Sequence, residues 1–388
     1  MFNTMFSIPV HERTEVVIDQ IVNIRRFCPN SGVVLHISRG FDYAHSFHSR
    51  EEFLSLLKTF DNVFVNPISL DTGFADIVQT HASNFRHVAP IAEFKNFSLI
   101  ASNELFVRNM PVPMSDEYDA NCGCGIWEQS QKWSWYEHVK HDAFLFRMLQ
   151  HLNATPSDIK TSQIEGTSYR KELFADIVDV LDRFYDFKEV AKIQRVIYPR
   201  EEVYYPTLAH LLNKNLRNKN KQFTYMPWDK GLVISQEDVQ SIINGNMPDK
   251  YSVKRVDRKF NDPLRFYIGT TIGNYRQKSV EVVRSRCLKK FVSLFNLASG
   301  KRRIFVGHKQ HEDFIRDYFR IKPYEKFMSF IERNGGLFLD DILKTMIDNR
   351  DALFVVCTPM YPMFLNVINN AGLREDVDFI DGWFLIPT

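Results

Sequence analysis

MFSIPVHERTEVVIDQIVNIRRFCPNSGVVLHIS, residues Met5–Ser38, decides the fold. It opens on a short apolar run, MFSIPV. Val17, Ile21 and Ile24 then recur at helical spacing, and the β-branched run GVVLHIS closes the stretch. That is strand, helix, strand. The alternation continues outward. NVFVN (Asn62–Asn66) and FSLIAS (Phe97–Ser102) read as further strands, with a helix over Ala75–Phe85 between them. Strands alternating with helices make an α/β fold with a mostly parallel sheet. Ligands of such sheets gather at the carboxyl ends of strands, so the loops after GVVLHIS and FSLIAS are candidate walls of a site.

Asn103–Lys132 is rich in Pro, Gly, Asp and Asn and reads as irregular. Helices follow over Trp135–Leu152 and Tyr169–Phe187, the latter with Phe174, Ile177, Val178, Leu181 and Phe184 on one face. In ISQEDVQSII, Ser235 can cap a helix, Asp238 completes a capping box, and Ile234 with Val239 forms a hydrophobic staple. From Tyr267 onward the alternation resumes with KSVEVVRSRCLKKFVSLF, RRIFVG, FLDDILKTMI, ALFVVCT and a helix ending at Gly372. This reads as a second, smaller α/β domain. Gly269 and Gly273 in IGTTIGNYRQ interrupt the periodicity there, giving domains 1–266 and 267–388.

Bulk properties narrow the function. The 388 residues are 44% hydrophobic and 25% charged, with net charge +2, a globular composition without strong attraction to nucleic acid. The aromatic content is high, with 33 Phe, 15 Tyr and 5 Trp; Tyr and Trp also suit sugar clefts, where a flat apolar face meets hydrogen-bonding groups. No apolar run approaches the roughly 18 residues of a membrane span. The N-terminus lacks the features of a secretion signal. Five scattered cysteines, with NCGCG as the single close pair, read as free thiols of a reducing cytoplasm.

The common phosphate motifs G-x-x-x-x-G-K-[ST] and G-x-G-x-x-G are absent. HVKHD (His138–Asp142) and HKQHED (His308–Asp313) lack the spacing of a zinc site and read as solvated polar faces. NKNLRNKNKQ (Asn213–Gln222) reads first as a solvated loop, with contact to an anionic membrane surface second. The acidic pairs in DEYD (Asp116–Asp119) and Asp340-Asp341 do not follow a strand as a metal-holding Asp-x-Asp would. A diphosphate would therefore have to meet side-chain cations. YSVKRVDRKFNDPLRFYI (Tyr251–Ile268) supplies four: Lys254, Arg255, Arg258 and Lys259. IYPREEVYYPTLAHLL (Ile197–Leu212) places Glu201 and Glu202 at a helix entrance, where two acids either answer the helix dipole or include a catalytic base.

These segments together resemble core-2/I-branching N-acetylglucosaminyltransferases and peptide O-xylosyltransferases. Trp228, the Ser235–Asp238 capping box and Arg258-Lys259-Phe260 follow the order of that family's Trp segment, T-x-E-D-L helix and F-A-R-K-F-D sequence. YPREEVYYPTL resembles its S-P-D-E-Y-L-W-A-T-I, with Glu202 on the catalytic glutamate and Thr207 on the threonine. Looser agreement upstream extends the resemblance over residues 1–265. It implies a GT-A-like Rossmann-type catalytic domain and inverting, metal-independent transfer from a nucleotide-diphosphate sugar, UDP-linked by preference. Glu202 would be the general base, with Glu201 raising its proton affinity. Lys259 and Arg258 would stabilise the departing diphosphate, with Lys230 second. Glu104 and Ser38 fall on substrate-contacting positions, and Trp228, like Trp133 and Trp135, either stacks on a sugar or is core.

Ser38, Asp71-Thr72-Gly73 and Asn103-Glu104 depart from the family's H-x-D, W-G and S-G-x-D motifs, which leaves the nucleotide and sugar open. With no membrane segment evident, the resemblance points to a bacterial cytoplasmic enzyme at the inner face of the membrane. It would extend a capsule, lipopolysaccharide or lipid-linked glycan with no cofactor, and would be open to homo-oligomerisation. A glycan-binding or scaffold protein on a decayed transferase fold, and a C-terminal domain carrying the function, stay open as alternatives.

Overall fold

The computed structural model describes residues 1–388 apart from 73–76, 111–115, 187, 190–197, 214, 229–230, 232, 288–299, 324, 334–335, 339, 359–360, 376 and 383–388. The chain divides into two compact units. The first holds Met1–Arg13, Gln20–Asp42 and Leu57–Arg258, and the second Thr14–Asp19, Tyr43–Leu56 and Lys259–Thr388.

The opening alternation is β1 (Phe2–Val10), α1 (Thr14–Phe27), β2 (Ser31–Ile37), α2 (Arg50–Leu57), β3 (Val63–Val65), α3 (Val78–Val88) and β4 (Phe94–Leu99). The strands pair in parallel in the order β3-β2-β1-β4. All seven residues of β2 are buried, as an unbroken β-branched run requires in a sheet covered on both faces. β1 therefore lies where the order turns: the chain builds outward on one side through β2 and β3, then returns to the other side with β4.

Next come β5 (Glu104–Phe106), β6 (Ala120–Asn121), β7 (Gly125–Ile126), α4 (Tyr136–Val139), α5 (Ala143–His151), β8 (Lys160–Thr161) and β9 (Thr167–Arg170). The unit ends with α6 (Lys171–Phe184), α7 (Glu201–Leu212), β10 (Thr224–Tyr225), α8 (Gln236–Ile243) and β11 (Ser252–Lys254). β9 extends the main sheet antiparallel to β4, β6 follows, and β10-β11-β5 form a small second sheet. Two sequence expectations change here. The helix read over Trp135–Leu152 breaks in two because Asp142 caps α5, accepting from Phe144 N (3.0 Å) and Leu145 N (3.1 Å). The helix read from Tyr169 begins at Lys171, because Thr167–Arg170 is drawn into the ladder with β4. The capping box stands: Ser235 Oγ accepts from Asp238 N (3.2 Å), and Asp238 accepts from Ser235 N (3.0 Å).

The second unit contains α9 (Pro263–Tyr267), which runs into a π-helical turn (Ile268–Ile272), then α10 (Arg276–Arg284), β12 (Arg302–His308), α11 (Glu312–Tyr318), β13 (Phe327–Arg333), β14 (Gly336–Phe338), α12 (Asp340–Asp348), β15 (Ala352–Cys357), α13 (Tyr361–Asn370) and β16 (Phe379–Asp381). Its sheet, β14-β13-β12-β15-β16, is parallel except at β14. IGTTIGNYRQ, read from its glycines as the domain boundary, is helical over Ile268–Ile272 and again from Arg276. Its neighbours explain why: buried Arg265 and Arg276 both reach buried Asp19, at 2.8 and 3.2 Å, and the Arg276 guanidinium lies 3.8 Å from the Phe260 ring centre. An unpaired buried carboxylate would cost several kcal/mol. This triad thus accounts for the grouping of Thr14–Asp19 with sequence more than 200 positions away.

Candidate active site

A cavity of about 810 Å³ opens in the first unit at the carboxyl ends of β1 and β4, lined there by His11 and by Ile100–Asn103. This is the turning point of the strand order, where open parallel sheets bind ligands. The start of α7 supplies Glu201 and Glu202 to the same cavity, and the loop leaving β11 supplies Lys254, Arg255 and Arg258.

Glu202 is the unusual group. Its carboxylate has no hydrogen bond or ion pair among the described residues. Burial, then the neighbouring Glu201 and Glu165, push its pKa up to about 8, against the opposing pull of Lys254. Its backbone, by contrast, is fixed. Pro206, inside α7, has no N–H to offer the carbonyl four residues before it, which is that of Glu202. Ser162 N takes that carbonyl instead, at 2.8 Å. The proline thus frees the acceptor that anchors Glu202 to the neighbouring loop.

The cations differ in how committed they are. Lys254 is ion-paired with Glu165, and Arg258 Nε lies 3.2 Å from buried Glu12. Arg255 makes no hydrogen bond or ion pair among the described residues and is exposed at the cleft. Its φ is +77°, a left-handed conformation costly for a residue with a Cβ and of the kind that clusters at ligand-binding sites. The flanking backbone is held by Val256 N donating to Asn103 O (3.2 Å).

The remaining predicted residues fall as follows. Glu201 is buried in the first turn of α7 and lines the cleft, so it acts on Glu202 as well as on the helix dipole. Trp228 is 62% exposed and lines the cleft with Trp133 and Trp135, which are half-buried and also pack against the hydrophobic core. Glu104 is corrected: it lies behind the cleft wall, fully buried, accepting from Thr224 Oγ1 (2.5 Å), Ser252 Oγ (2.6 Å) and Ala101 N (3.2 Å). Burial lifts its pKa to about 7 in spite of these donors. It supports the wall from inside the β10-β11-β5 sheet. Ser38 is set back too, accepting from Thr72 Oγ1 (2.7 Å), which in turn meets His11 Nδ1 (3.2 Å). Lys259 is exposed and begins the second unit, whereas the cleft lining runs to Arg258. Lys230 lies outside the described residues.

Sequence reading overlooked His11 and Glu165. His11 directly follows β1, so the strand-end rule that singled out the loop after FSLIAS could have found it. Nothing local marks Glu165. Other sequence candidates are occupied elsewhere: Asp116 pairs with Arg170, Asp119 with Arg217, and Lys221 with Asp249. Among the described residues no group of three or more His, Cys, Asp and Glu could hold a metal ion, and no helix is long and apolar enough to cross a membrane.

Fold and cleft together define an α/β protein in which acids and side-chain cations line one cavity at a sheet's turning point. No protein-family model matches the chain, and no curated protein matches its sequence. Among solved structures, a galactosyltransferase, LgtC, in complex with donor and acceptor sugar analogues is 11% identical. It covers 73% of this chain and 96% of its own, with TM-score 0.37. The glycosyltransferase GlyE of Streptococcus pneumoniae TIGR4 is 7% identical, covering 98% of this chain and 95% of its own, with TM-score 0.32.

Proposed function

We propose that the chain is an inverting, metal-independent glycosyltransferase with a GT-A-like first unit, acting on a nucleotide-diphosphate sugar, UDP-linked by preference. The observation that carries the reading is Glu202, a carboxylate with raised proton affinity, in the same cleft as the cation Arg255, neither with a side-chain partner among the described residues. In the proposed step an acceptor hydroxyl oxygen attacks the anomeric carbon while its proton passes to Glu202. The bond from that carbon to the diphosphate oxygen breaks, and the leaving charge is met by Arg255, with Arg258 and Lys254 beside it. We assign the diphosphate to Arg255 in place of Lys259. These side chains supply the charge that a divalent ion supplies in other transferases. The acceptor would be a bacterial surface glycan, free or lipid-linked.

The test is a screen of nucleotide sugars for thermal stabilisation and for protein-dependent release of nucleoside diphosphate, with and without EDTA. The expected result is stabilisation and release by one donor class, undiminished by the chelator and nearly abolished in Glu202→Gln. Wild-type release by Glu202→Gln would remove the base, and loss of release with EDTA would remove metal independence.

A further inference from the structure

A second cavity, of about 430 Å³, meets the first at Glu202, Trp133 and Trp228, which line both. Its chemistry is different. The larger cavity carries Lys254, Arg255 and Arg258. Among the described residues, the lining of the smaller one holds no charged group except Glu202. Ser130, Thr161, Gln163, Gln222 and the two tryptophans line it.

The amides are set by their own bonds. Trp228 Nε1 donates to Gln163 Oε1 (3.1 Å), which fixes that side chain with its NH₂ turned the other way. Gln163 Nε2 is itself covered by protein atoms, so the Gln163 amide steadies Trp228 and is not turned to the cavity. Gln222 Nε2 donates to Ser162 Oγ (2.9 Å), and its side-chain oxygen has no partner among the described residues. The cavity thus offers one oriented acceptor in the Gln222 side-chain oxygen, the Thr161 hydroxyl, which can donate or accept, the Ser130 oxygen, whose proton goes to Ile126 O (3.0 Å), and two flat apolar faces. That set suits a sugar ring. A carboxylate, phosphate or sulfate would find no cation among the described lining residues and would face Glu202. The floor is tied to Glu202 through Ser162, whose N–H holds the Glu202 carbonyl and whose Oγ accepts from Gly123 N (2.7 Å).

We propose that the smaller cavity is the acceptor subsite and that it takes the uncharged end of a neutral glycan, one or two sugars long, with a hydroxyl presented to Glu202. The inference rests on the glycosyltransferase reading. It adds that charge is sorted between the two cavities: the anionic donor goes to the cationic one and a neutral acceptor to the other. The acceptor is recognised by its sugar, whether free or lipid-linked.

Saturation-transfer NMR and calorimetry would test this on the whole chain, using UDP, neutral disaccharides (lactose, cellobiose, maltose), glucuronic acid, and a matched pair of methyl and octyl glycosides. At least one neutral disaccharide is expected to bind and glucuronic acid is not. Gln222→Ala, which lines only the smaller cavity, should weaken that disaccharide about tenfold or more and leave UDP within about twofold. Arg255→Ala should do the reverse. Retained UDP binding also reports that the Gln222 variant is folded. Methyl and octyl glycosides binding alike supports recognition of the sugar alone, whereas a requirement for the octyl chain overturns it. UDP binding with no neutral disaccharide bound, or glucuronic acid bound equally well, overturns the subsite and leaves the transferase reading intact. Failure of UDP and every nucleotide sugar to bind overturns the transferase reading itself.

Discussion

Asp142 and Glu202 are carboxylates of the same unit, and the fold treats them in opposite ways. Asp142 accepts from Phe144 N, Leu145 N, the Tyr198 and Tyr204 hydroxyls (both 2.8 Å) and Arg200 Nε (3.1 Å). Arg200 is only two residues before Glu202, yet its guanidinium goes to Asp142. Glu202 is left without a side-chain partner among the described residues, and its proton affinity rises accordingly. The tyrosines and arginine of IYPREEVYYPTL make Asp142 structural and leave Glu202 without a side-chain partner among the described residues. A charge that is fully paired holds the loop, and one that is desolvated and unpaired is available for chemistry.

The largest expected effect follows from the unpaired member. Glu202→Gln should lower transfer by about 10²- to 10⁴-fold without loss of fold. The pH dependence carries the sign. The wild-type rate should climb about tenfold per unit and level off near pH 8, where Glu202 becomes the base. Stability runs the other way. The folded-state pKa, about 8, lies above the 4.5 of a free glutamate, so the native state keeps a proton that the unfolded chain gives up. This group therefore subtracts stability as pH rises from about 4.5 to 8. Glu202→Gln should melt higher than wild type at pH 8, by roughly 1–3 °C, and no higher at pH 4. An unchanged pH–rate profile in the variant would end the comparison.

Asp142→Ala should give the opposite signature. It strands buried Arg200 and two buried tyrosine hydroxyls, at about 3–5 kcal/mol, and activity should fall only as the folded population does. Urea unfolding followed alongside turnover separates the two cases. An Asp142→Ala protein that is stable but inactive would show that Asp142 is not merely structural.

Arg255 sharpens the contrast between paired and unpaired cations. Arg255→Gly should relieve the left-handed backbone and gain about 1 kcal/mol of stability, yet lose roughly 10- to 100-fold in kcat/KM for the donor. The same change at Lys254, paired with Glu165, should destabilise instead. Equal donor kinetics in Arg255→Gly and wild type would move the diphosphate elsewhere.

Much of this was legible in the sequence, for identifiable reasons. Val17, Ile21, Ile24 and the run GVVLHIS carry their periodicity locally, so the strand–helix–strand core could be read directly. Ser235 and Asp238 signal a helix start within four residues. Glu201 and Glu202 drew attention together as adjacent acids at a helix entrance, and only the family resemblance singled out Glu202. What was not legible depends on distance. Nothing in the neighbourhood of Asp19 announces Arg265 and Arg276, which draw Thr14–Asp19 into the second unit. Thr224 and Ser252 withdraw Glu104 from the site, and neither adjoins it in sequence. The cation cluster was visible, but which member stays uncommitted depends on Glu165 and Glu12, brought in by the sheets.

The smallest expected effect concerns the backbone of Glu202. Pro206→Ala restores an N–H that can claim the Glu202 carbonyl in the ordinary helical pattern, in competition with Ser162 N–H. α7 itself should not suffer, since alanine is the better helix former. What loosens is the tie between the helix entrance and the loop carrying Ser162 and Gln163. Turnover should fall by less than about tenfold, because Glu202 keeps its carboxylate and its desolvated surroundings and loses only positioning. Hydrogen exchange at the Ser162 amide should speed up, while exchange in β1 and β2 stays as in wild type. An unchanged Ser162 amide would mean that the proline is there only to shape the helix. The fixed carbonyl and the free carboxylate of Glu202 would then be two separate facts rather than one device.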